Sequence, residues 1–243
     1  GALLELGHRC VKQRFFCLGQ GVLPCCFKKL LKLMQQCSIF AVGDMLAAEI
    51  VEFFEIKPKE RSEKLNLLLF GGSQGARAIN LAMIDALKFL GNEKDKLNIT
   101  HQTGKFDLET VRKGYVENDW NEAEIREYIS DMVSEFEKTD LIISRAGATT
   151  CAELAAAGKV SIMIPLPTAA DDHQRKNAEA LENNGAAKMI LQADLTGESL
   201  ANELKRFVAA PETITEMEEN AKKMAKADAA EVTVNLIEEL VNV

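Results

Sequence analysis

The feature that most constrains the fold is a hydrophobic run that leads directly into a glycine-rich turn. Residues 65–70 read LNLLLF, and Gly71, Gly72 and Gly75 follow within GGSQG before a helical pattern begins. Such a junction forms a phosphate pocket, because the first N–H groups of a helix have no intrahelical partner and the peptide dipoles favour negative charge there. The pattern matches neither the G-x-G-x-x-G dinucleotide motif nor the Walker motif. A tight strand–helix turn without a ligand remains the alternative.

Hydrophobic strands alternate with helical patterns along the chain. Strands are predicted at residues 65–70, 98–102, 115–117, 141–144, 161–164 and 187–190. Helices are predicted at residues 75–90, 106–113, 132–138, 150–157, 174–184, 198–209, 213–228 and 230–242. This alternation is typical of an α/β fold with a Rossmann-like parallel sheet and helices on both faces. Ligands bind beyond the carboxyl ends of such strands, so the loops after Phe70, Gln102, Ser144 and Ile164 are expected at one edge.

Composition narrows the class of protein. With 29 basic and 37 acidic residues, the 243-residue chain has a net charge of −8, which argues against a nucleic-acid partner. No apolar run reaches the ~18 residues of a membrane span, and no signal peptide is evident. The spacing of the six cysteines matches no zinc signature, so we expect reduced thiols in a cytoplasmic protein and no metal site.

The composition changes near residues 58–64, a charged and proline-containing linker. We therefore divide the chain into residues 1–60, 61–228 and 229–243. Within the first part, FKKLLKLMQQ at residues 27–36 has apolar residues at helical spacing with lysines between them. Contact with a membrane surface and packing on a domain are both open for this segment. The last part has apolar residues at helical spacing, which predicts self-association if that stripe is exposed.

A second glycine turn follows the predicted strand at residues 141–144. The sequence SRAGATTCAE leads into a helix that Thr149 or Thr150 is expected to cap. Glu153 is expected within about the first turn, where it either stabilises the helix dipole or accepts two ribose hydroxyls. After the next strand, the polar run at residues 171–177 suits either sugar recognition or a solvated helix start capped by an aspartate.

Five motifs together resemble the MurG family of bacterial UDP-N-acetylglucosamine (UDP-GlcNAc) transferases, in glycosyltransferase family 28. They are GGSQGAR at residues 71–77, HQTGK at 101–105, YISDM at 128–132, SRAGATTCAELAAAG at 144–158, and the PLP to HQ..NA run at 165–178. The resemblance covers the chain from about residue 65 onward, in the family's order and spacing. It implies the C-terminal, nucleotide-sugar-binding half of a two-domain GT-B glycosyltransferase.

The resemblance also implies site roles. The residues it assigns to UDP-GlcNAc are Gly72, Ser73, Gln74, Ile129, Ala148, Thr149, Thr150, Cys151, Ala152, Glu153, His173 and Gln174. The first three cradle the diphosphate, and Ile129 meets the uracil through its backbone. Residues 148–153 hold nucleotide and phosphate, with the glutamate on the ribose, and the last two bind the sugar. The implied reaction transfers GlcNAc to a lipid-linked muramoyl-pentapeptide precursor of peptidoglycan at the inner face of the cell membrane, without a cofactor.

The first 60 residues depart from the family. GQG at residues 19–21 stands where the family usually has EQN, and Ala47 stands where it has a phosphate-facing arginine. The glycine-rich loop that begins the family's N-terminal domain is missing, so no residue is assigned as the catalytic base. Two alternatives stay open: a UDP-sugar-binding module or half-enzyme that needs a separate acceptor-binding subunit, and a related GT-B enzyme with another sugar or acceptor.

Overall fold

The computed structural model describes residues 50–57, 62–72 and 75–227. The predicted helices at 27–36 and 230–242 lie outside this range, as do most of the predicted N-terminal part and the two loop residues Ser73 and Gln74.

Six strands of the described residues form a single sheet in which all pairs are parallel. They are β1 (Leu65–Phe70), β2 (Leu97–Gln102), β3 (Glu124–Arg126), β4 (Leu141–Ser144), β5 (Val160–Met163) and β6 (Ala187–Met189). The spatial order is β3-β2-β1-β4-β5-β6. This is the doubly wound order of Rossmann-like folds, and it confirms the predicted fold class.

Helices cover both faces of the sheet. The α-helices of the described residues are α1 (Ile50–Phe54), α2 (Arg77–Leu87), α3 (Leu108–Glu117), α4 (Met132–Lys138), α5 (Ala148–Ala157), α6 (His173–Asn183), α7 (Gly197–Ala209) and α8 (Glu212–Met224). Two short 3₁₀ helices occupy Gly91–Lys96 and Ala170–Asp172.

Alternate residues of β1 enter two separate cores. Leu67 and Leu69 pack with α2, α3 and α7 on one face, whereas Leu68 and Phe70 pack with α1, α4 and α5 on the other. Successive side chains of a strand point to opposite faces, so a strand buried on both sides must be apolar throughout. This explains the continuous hydrophobic run that the sequence shows in β1.

Two secondary-structure predictions were wrong around β3. The strand predicted at residues 115–117 is the last turn of α3, where Tyr115 is fully buried against the core. The real strand, Glu124–Arg126, was missed because its three polar or half-buried residues make it an edge strand with little apolar pattern. Tertiary packing rather than local sequence decides both segments.

The order of the strands places a topological switch point between β1 and β4. The chain leaves these two neighbouring strands towards opposite faces, since α2 packs on one core and α5 on the other. In open parallel sheets the crevice at this point, beyond the carboxyl ends of the strands, is where ligands bind. The loops after β1 and β4 flank it, as the sequence predicted.

Candidate functional site

In the glycine loop (residues 71–76), the described residues 71–72 and 75–76 lie close together after β1. The N–H of Gly75 donates to the carbonyl of Gly72 at 2.9 Å. Gly75 has φ +76°, and a Cβ there would lie 2.0 Å from the carbonyl oxygen of Thr103. A Cβ at Gly71 would lie 2.2 Å from the backbone N of Ala76. Both positions therefore require glycine, and they bring bare backbone to the switch point.

One buried side chain connects the glycine loop to the loop before α4. Gln102, at the end of β2, donates from Nε2 to the Gly72 carbonyl at 2.9 Å. Its Oε1 accepts from the N–H of Ile129 at 3.3 Å. Ile129 is itself 3% exposed, so its side chain packs in the core and only its backbone is available for other contacts in this loop. Sequence reasoning assigned Gln102 no role, although its place at the end of a strand within HQTGK was a usable signal.

A buried polar network anchors the helix that follows the glycine loop. Arg77, the first residue of α2, pairs with Asp107. Asn80 donates to Asp107 at 2.9 Å and accepts from His101 Nε2 at 3.0 Å, and His101 Nδ1 lies 3.0 Å from the hydroxyl of Tyr115. Burial lowers the pKa of His101 to about 3, against a weaker opposing effect of Asp107. The imidazole is therefore neutral. It donates to Asn80, in the helix that follows the glycine loop.

The helix α5 starts without a side-chain cap. Its N-cap is Gly147, and no side chain of the described residues accepts a hydrogen bond from the N–H groups of its first turn. The prediction that Thr149 or Thr150 caps the helix was wrong, because the helix begins at Ala148 and both threonines lie inside it. Unsatisfied N–H groups at a helix start attract an anion.

The remaining predicted residues of α5 divide by exposure. Cys151 and Ala152 are buried, so they face the core rather than the crevice. Glu153 is partly exposed, but it is the sixth residue of the helix and lies in its second turn. This is just beyond the first turn, near where it was expected, and the interaction of Glu153 with the helix dipole is weak because that effect fades beyond the first turn.

Arg145 fastens the second half of the crevice. Its guanidinium donates to the carbonyls of Ile164 at 3.1 Å and Pro165 at 3.4 Å, and to Oε1 of Gln192 at 2.7 Å. Burial lowers the pKa of this guanidinium below its usual value. One side chain thus joins the loops that follow β4, β5 and β6. Sequence reasoning placed Arg145 within a motif but assigned it no function.

The start of α6 adjoins the loop after β5. Gln174 Oε1 accepts from the N–H of Leu166 at 3.0 Å, and His173 Nδ1 donates to the carbonyl of Ala170 at 2.7 Å. The predicted aspartate cap was wrong, since Asp172 is the N-cap but its side chain accepts no cap bond. Asp171 and Asp172 both have positive φ, at 51° and 55°, a conformation uncommon outside glycine.

The structure thus brings the predicted residues to one edge of the sheet in two groups. Gln102 links the loops after β1 and β3, and Arg145 links those after β4, β5 and β6. Buried Asn177 adds a bond from α6 to the Ala146 carbonyl at 3.1 Å. The exceptions are Cys151 and Ala152, which face the core, and Ser73 and Gln74, which lie outside the described residues.

A separate cavity of about 150 Å³ lies near the starts of β1 and β2, away from this edge. Its charged lining is internally paired: Arg126 contacts Glu124 at 2.6 Å and Glu135 at 3.0 Å, and Lys138 contacts Glu135 at 3.3 Å. No net charge is left there to recognise a phosphate, so the crevice remains the candidate site. Within the described ranges, no cluster of His, Cys, Asp or Glu is arranged to hold a metal ion.

Comparison with known proteins identifies the family. The model of the glycosyltransferase family 28 C-terminal domain matches residues 66–233. The chain belongs to this family. It is 49% identical over 179 residues to the UDP-N-acetylglucosamine–N-acetylmuramyl-(pentapeptide) pyrophosphoryl-undecaprenol N-acetylglucosamine transferase of Geotalea uraniireducens, covering 74% of this chain and 49% of the relative. It is 44% identical over 193 residues to the same-named protein of Citrifermentans bemidjiense, covering 79% and 54%.

A solved structure agrees with the sequence relatives. MurG from Acinetobacter baumannii superimposes with a TM-score of 0.67 at 36% identity, covering 78% of this family 28 chain and 53% of that protein. The chain spans about half the length of the curated relatives it matches. None of the helices formed by the described residues is long and apolar enough to span a membrane.

Proposed function

We propose that this family 28 chain binds UDP-GlcNAc and forms the donor half of the transferase that adds GlcNAc to the lipid-linked precursor of peptidoglycan. The observation that carries the proposal is the uncapped start of α5 beside the glycine loop at the switch point. The N–H groups of an uncapped helix start, together with a glycine turn that lets the backbone approach closely, suit a diphosphate. The names of the relatives that share 44–49% identity supply the sugar and the acceptor.

The proposed contacts follow the order of the loops along the sheet edge. The glycine loop, with Gly72, Ser73 and Gln74, cradles the diphosphate together with the first turn of α5. The backbone of Ile129 meets the uracil, and Glu153 accepts the ribose hydroxyls. The partly exposed His173 and Gln174 bind the GlcNAc hydroxyls.

In the proposed reaction, the C4 hydroxyl of the muramoyl sugar attacks C1 of GlcNAc. The bond from C1 to the β-phosphate oxygen breaks, UDP leaves, and the hydroxyl proton passes to a base outside this half. Negative charge develops on the departing diphosphate, and the helix start of α5 opposes it. Electrostatic stabilisation by such preorganised dipoles is a major source of rate enhancement in enzymes.

The chain's partners follow from the share of the relatives that it matches. We propose that residues 61–228 are the donor-binding domain, that residues 1–60 belong to an acceptor-binding part, and that residues 229–243 form a closing helix. The acceptor is lipid-linked, so the proposed place of action is the cytoplasmic face of the cell membrane. We propose that the acceptor site is completed by the N-terminal half that the relatives have, whether joined to this chain or separate, or by self-association.

Calorimetry on the full chain with UDP and UDP-GlcNAc tests the proposal. We expect both ligands to bind, and we expect Glu153→Ala and Ser73→Ala each to weaken binding about tenfold, as for loss of a hydrogen bond to a charged group. Glu117→Ala is the matched control, because Glu117 is paired with Lys113 at the far end of α3. Absence of binding by the parent chain, or parent-like binding by both site variants, would refute the proposal.

A further inference from the structure

Gln102 links two loops that the proposed function assigns to opposite ends of one ligand. Its Nε2 holds the Gly72 carbonyl at 2.9 Å on the diphosphate side, and its Oε1 holds the Ile129 N–H at 3.3 Å on the uracil side. We infer that Gln102 is a positioning residue that fixes the distance between the glycine loop and the 127–131 loop and thereby sets the affinity for UDP. This inference rests on the proposed function for its ligand.

The chemistry of the side chain suits this role. One end of the bridge is a carbonyl that needs a donor, and the other is an N–H that needs an acceptor. A carboxamide offers both from one planar group, whereas a carboxylate offers only acceptors and a thioether offers no strong partner. Gln102→Glu should therefore keep one of the two bonds, and Gln102→Met should lose both.

Burial makes the bridge specific. Gln102 is 3% exposed and its bond to the Ile129 N–H is buried, so water cannot readily replace that bond, whereas the bond to the Gly72 carbonyl is part-buried because Gly72 is exposed. A buried donor or acceptor that loses its partner is costly, and the loop shifts to find another one. The next two residues along the chain form backbone hydrogen bonds to other partners: the Thr103 N–H donates to the Arg126 carbonyl, and the Gly104 N–H donates to the Glu127 carbonyl. These bonds join the loops after β2 and β3, and neither of them reaches the glycine loop.

Hydrogen exchange, resolved residue by residue by NMR on the full chain without ligand, tests the bridge itself. In Gln102→Met we expect the amides of both Ile129 and Gly75 to exchange faster. In Gln102→Glu, measured where the carboxylate is ionised, Ile129 keeps its acceptor and stays protected while Gly75 exchanges faster, because the Gly72 carbonyl, to which the Gly75 N–H donates, loses the Gln102 donor that holds it in place. A general loss of stability would accelerate both amides in both variants, and that result would overturn the inference.

Calorimetry with UDP tests the functional consequence. We expect about a tenfold or greater loss of affinity in Gln102→Met, because a small displacement of one binding group relative to another has a large effect. The matched control is Asn118→Asp, which removes an amide donor from the Gly114 carbonyl, at 2.7 Å, far from the crevice. Parent-like UDP affinity in Gln102→Met, or an equal loss in Asn118→Asp, contradicts the inference.

The two experiments separate this inference from the proposed function. If the parent chain binds no UDP, the proposed function fails and the ligand role of Gln102 fails with it, whereas the exchange pattern still decides whether Gln102 joins the loops. If the parent chain binds UDP and Gln102→Met binds it equally well, only the inference fails.

Discussion

The helices α5 and α7 begin in opposite ways. At the start of α7, Thr196 and Ser199 form a reciprocal capping box, with bonds of 3.0 Å and 2.9 Å between side chain and backbone. At the start of α5, the N-cap is Gly147 and no side chain of the described residues caps the first turn. The capping box of α7 satisfies the N–H groups of Thr196 and Ser199, whereas the start of α5 has no side-chain cap bond.

The difference follows the position of each helix relative to the switch point. The helix α4 is also capped, by Asp131 accepting from the Ser134 N–H at 2.9 Å. The two helices that follow the central strands are not: α2 starts after Ala76 and α5 after Gly147, and neither shows a side-chain cap within the described residues. Side-chain caps are thus missing on both sides of the switch point, where an anion can take their place, although α3, α6 and α8 also start without one.

Placing a carboxylate at the start of α5 should have the largest effect. Gly147 has φ −63° and ψ 151°, and a Cβ there meets only Thr150 Oγ1, at 3.9 Å, so a larger residue fits. Gly147→Asp should cap the helix, raise the melting temperature, and weaken UDP binding roughly hundredfold, because the charge competes with the diphosphate.

Gly147→Asn separates charge from capping, since asparagine caps a helix without carrying a charge. We expect it to bind UDP more tightly than Gly147→Asp. Calorimetry and thermal unfolding measure both effects, and unchanged UDP binding in Gly147→Asp would mean that the anion does not sit at α5.

Loss of Arg145 should rank second. Arg145→Met leaves the Ile164 carbonyl and the Gln192 amide without their charged donor, and we expect the free energy of unfolding to fall by about 2 kcal/mol. Arg175→Met is the control, because its exposed pair with Glu179 contributes little. Chemical denaturation measures both variants, and an equal, small change in each would show that Arg145 does not fasten the loops.

The buried polar network that anchors α2 should make the free energy of unfolding depend on pH. His101 takes up a proton near pH 6.5 in the unfolded chain, but its pKa in the folded protein is lowered to about 3 by burial. The unfolded state therefore binds more protons between these values, and stability falls with decreasing pH by up to about 1.4 kcal/mol per pH unit. Denaturation curves measured from pH 7 to pH 4 give the free energy of unfolding at each pH. This free energy should fall more steeply with decreasing pH in the parent chain than in His101→Gln, and equal pH dependence would contradict the assignment.

Removing the cap of α7 should have the smallest effect. Thr196→Ala should lower the free energy of unfolding by about 1 kcal/mol and leave UDP affinity unchanged. Thr149→Ala is the counterpart in α5, and its stability should stay close to that of the parent because Thr149 caps nothing. Similar losses of stability in the two variants would remove the contrast between the helix starts.

The apolar strands were predictable because burial on both faces leaves a continuous signature. Residues 65–70 and 141–144 were predicted with the bounds that β1 and β4 have. The edge strand β3 was not, since Glu124 and Arg126 carry no such signature. Local sequence also misplaced the start of α5, because threonine and glycine are about equally good N-caps and only the tertiary position of the loop decides between them.

The site was predictable as an edge of the sheet but not as a set of contacts. The glycine turns marked the loops after β1 and β4 directly. The roles of Gln102 and Arg145 depend on bonds to residues 27 and 47 positions away along the chain, to Ile129 and Gln192. Such contacts follow from the strand order, which periodicity alone does not supply.

A crystal structure of the full chain soaked with UDP tests the central claim most directly. We predict the diphosphate within hydrogen-bonding distance of the first-turn N–H groups of α5, residues 148–150, and beside the glycine loop. A UDP molecule bound elsewhere on the protein, or a crevice without nucleotide at saturating UDP, would contradict the claim that uncapped helix starts form the binding site.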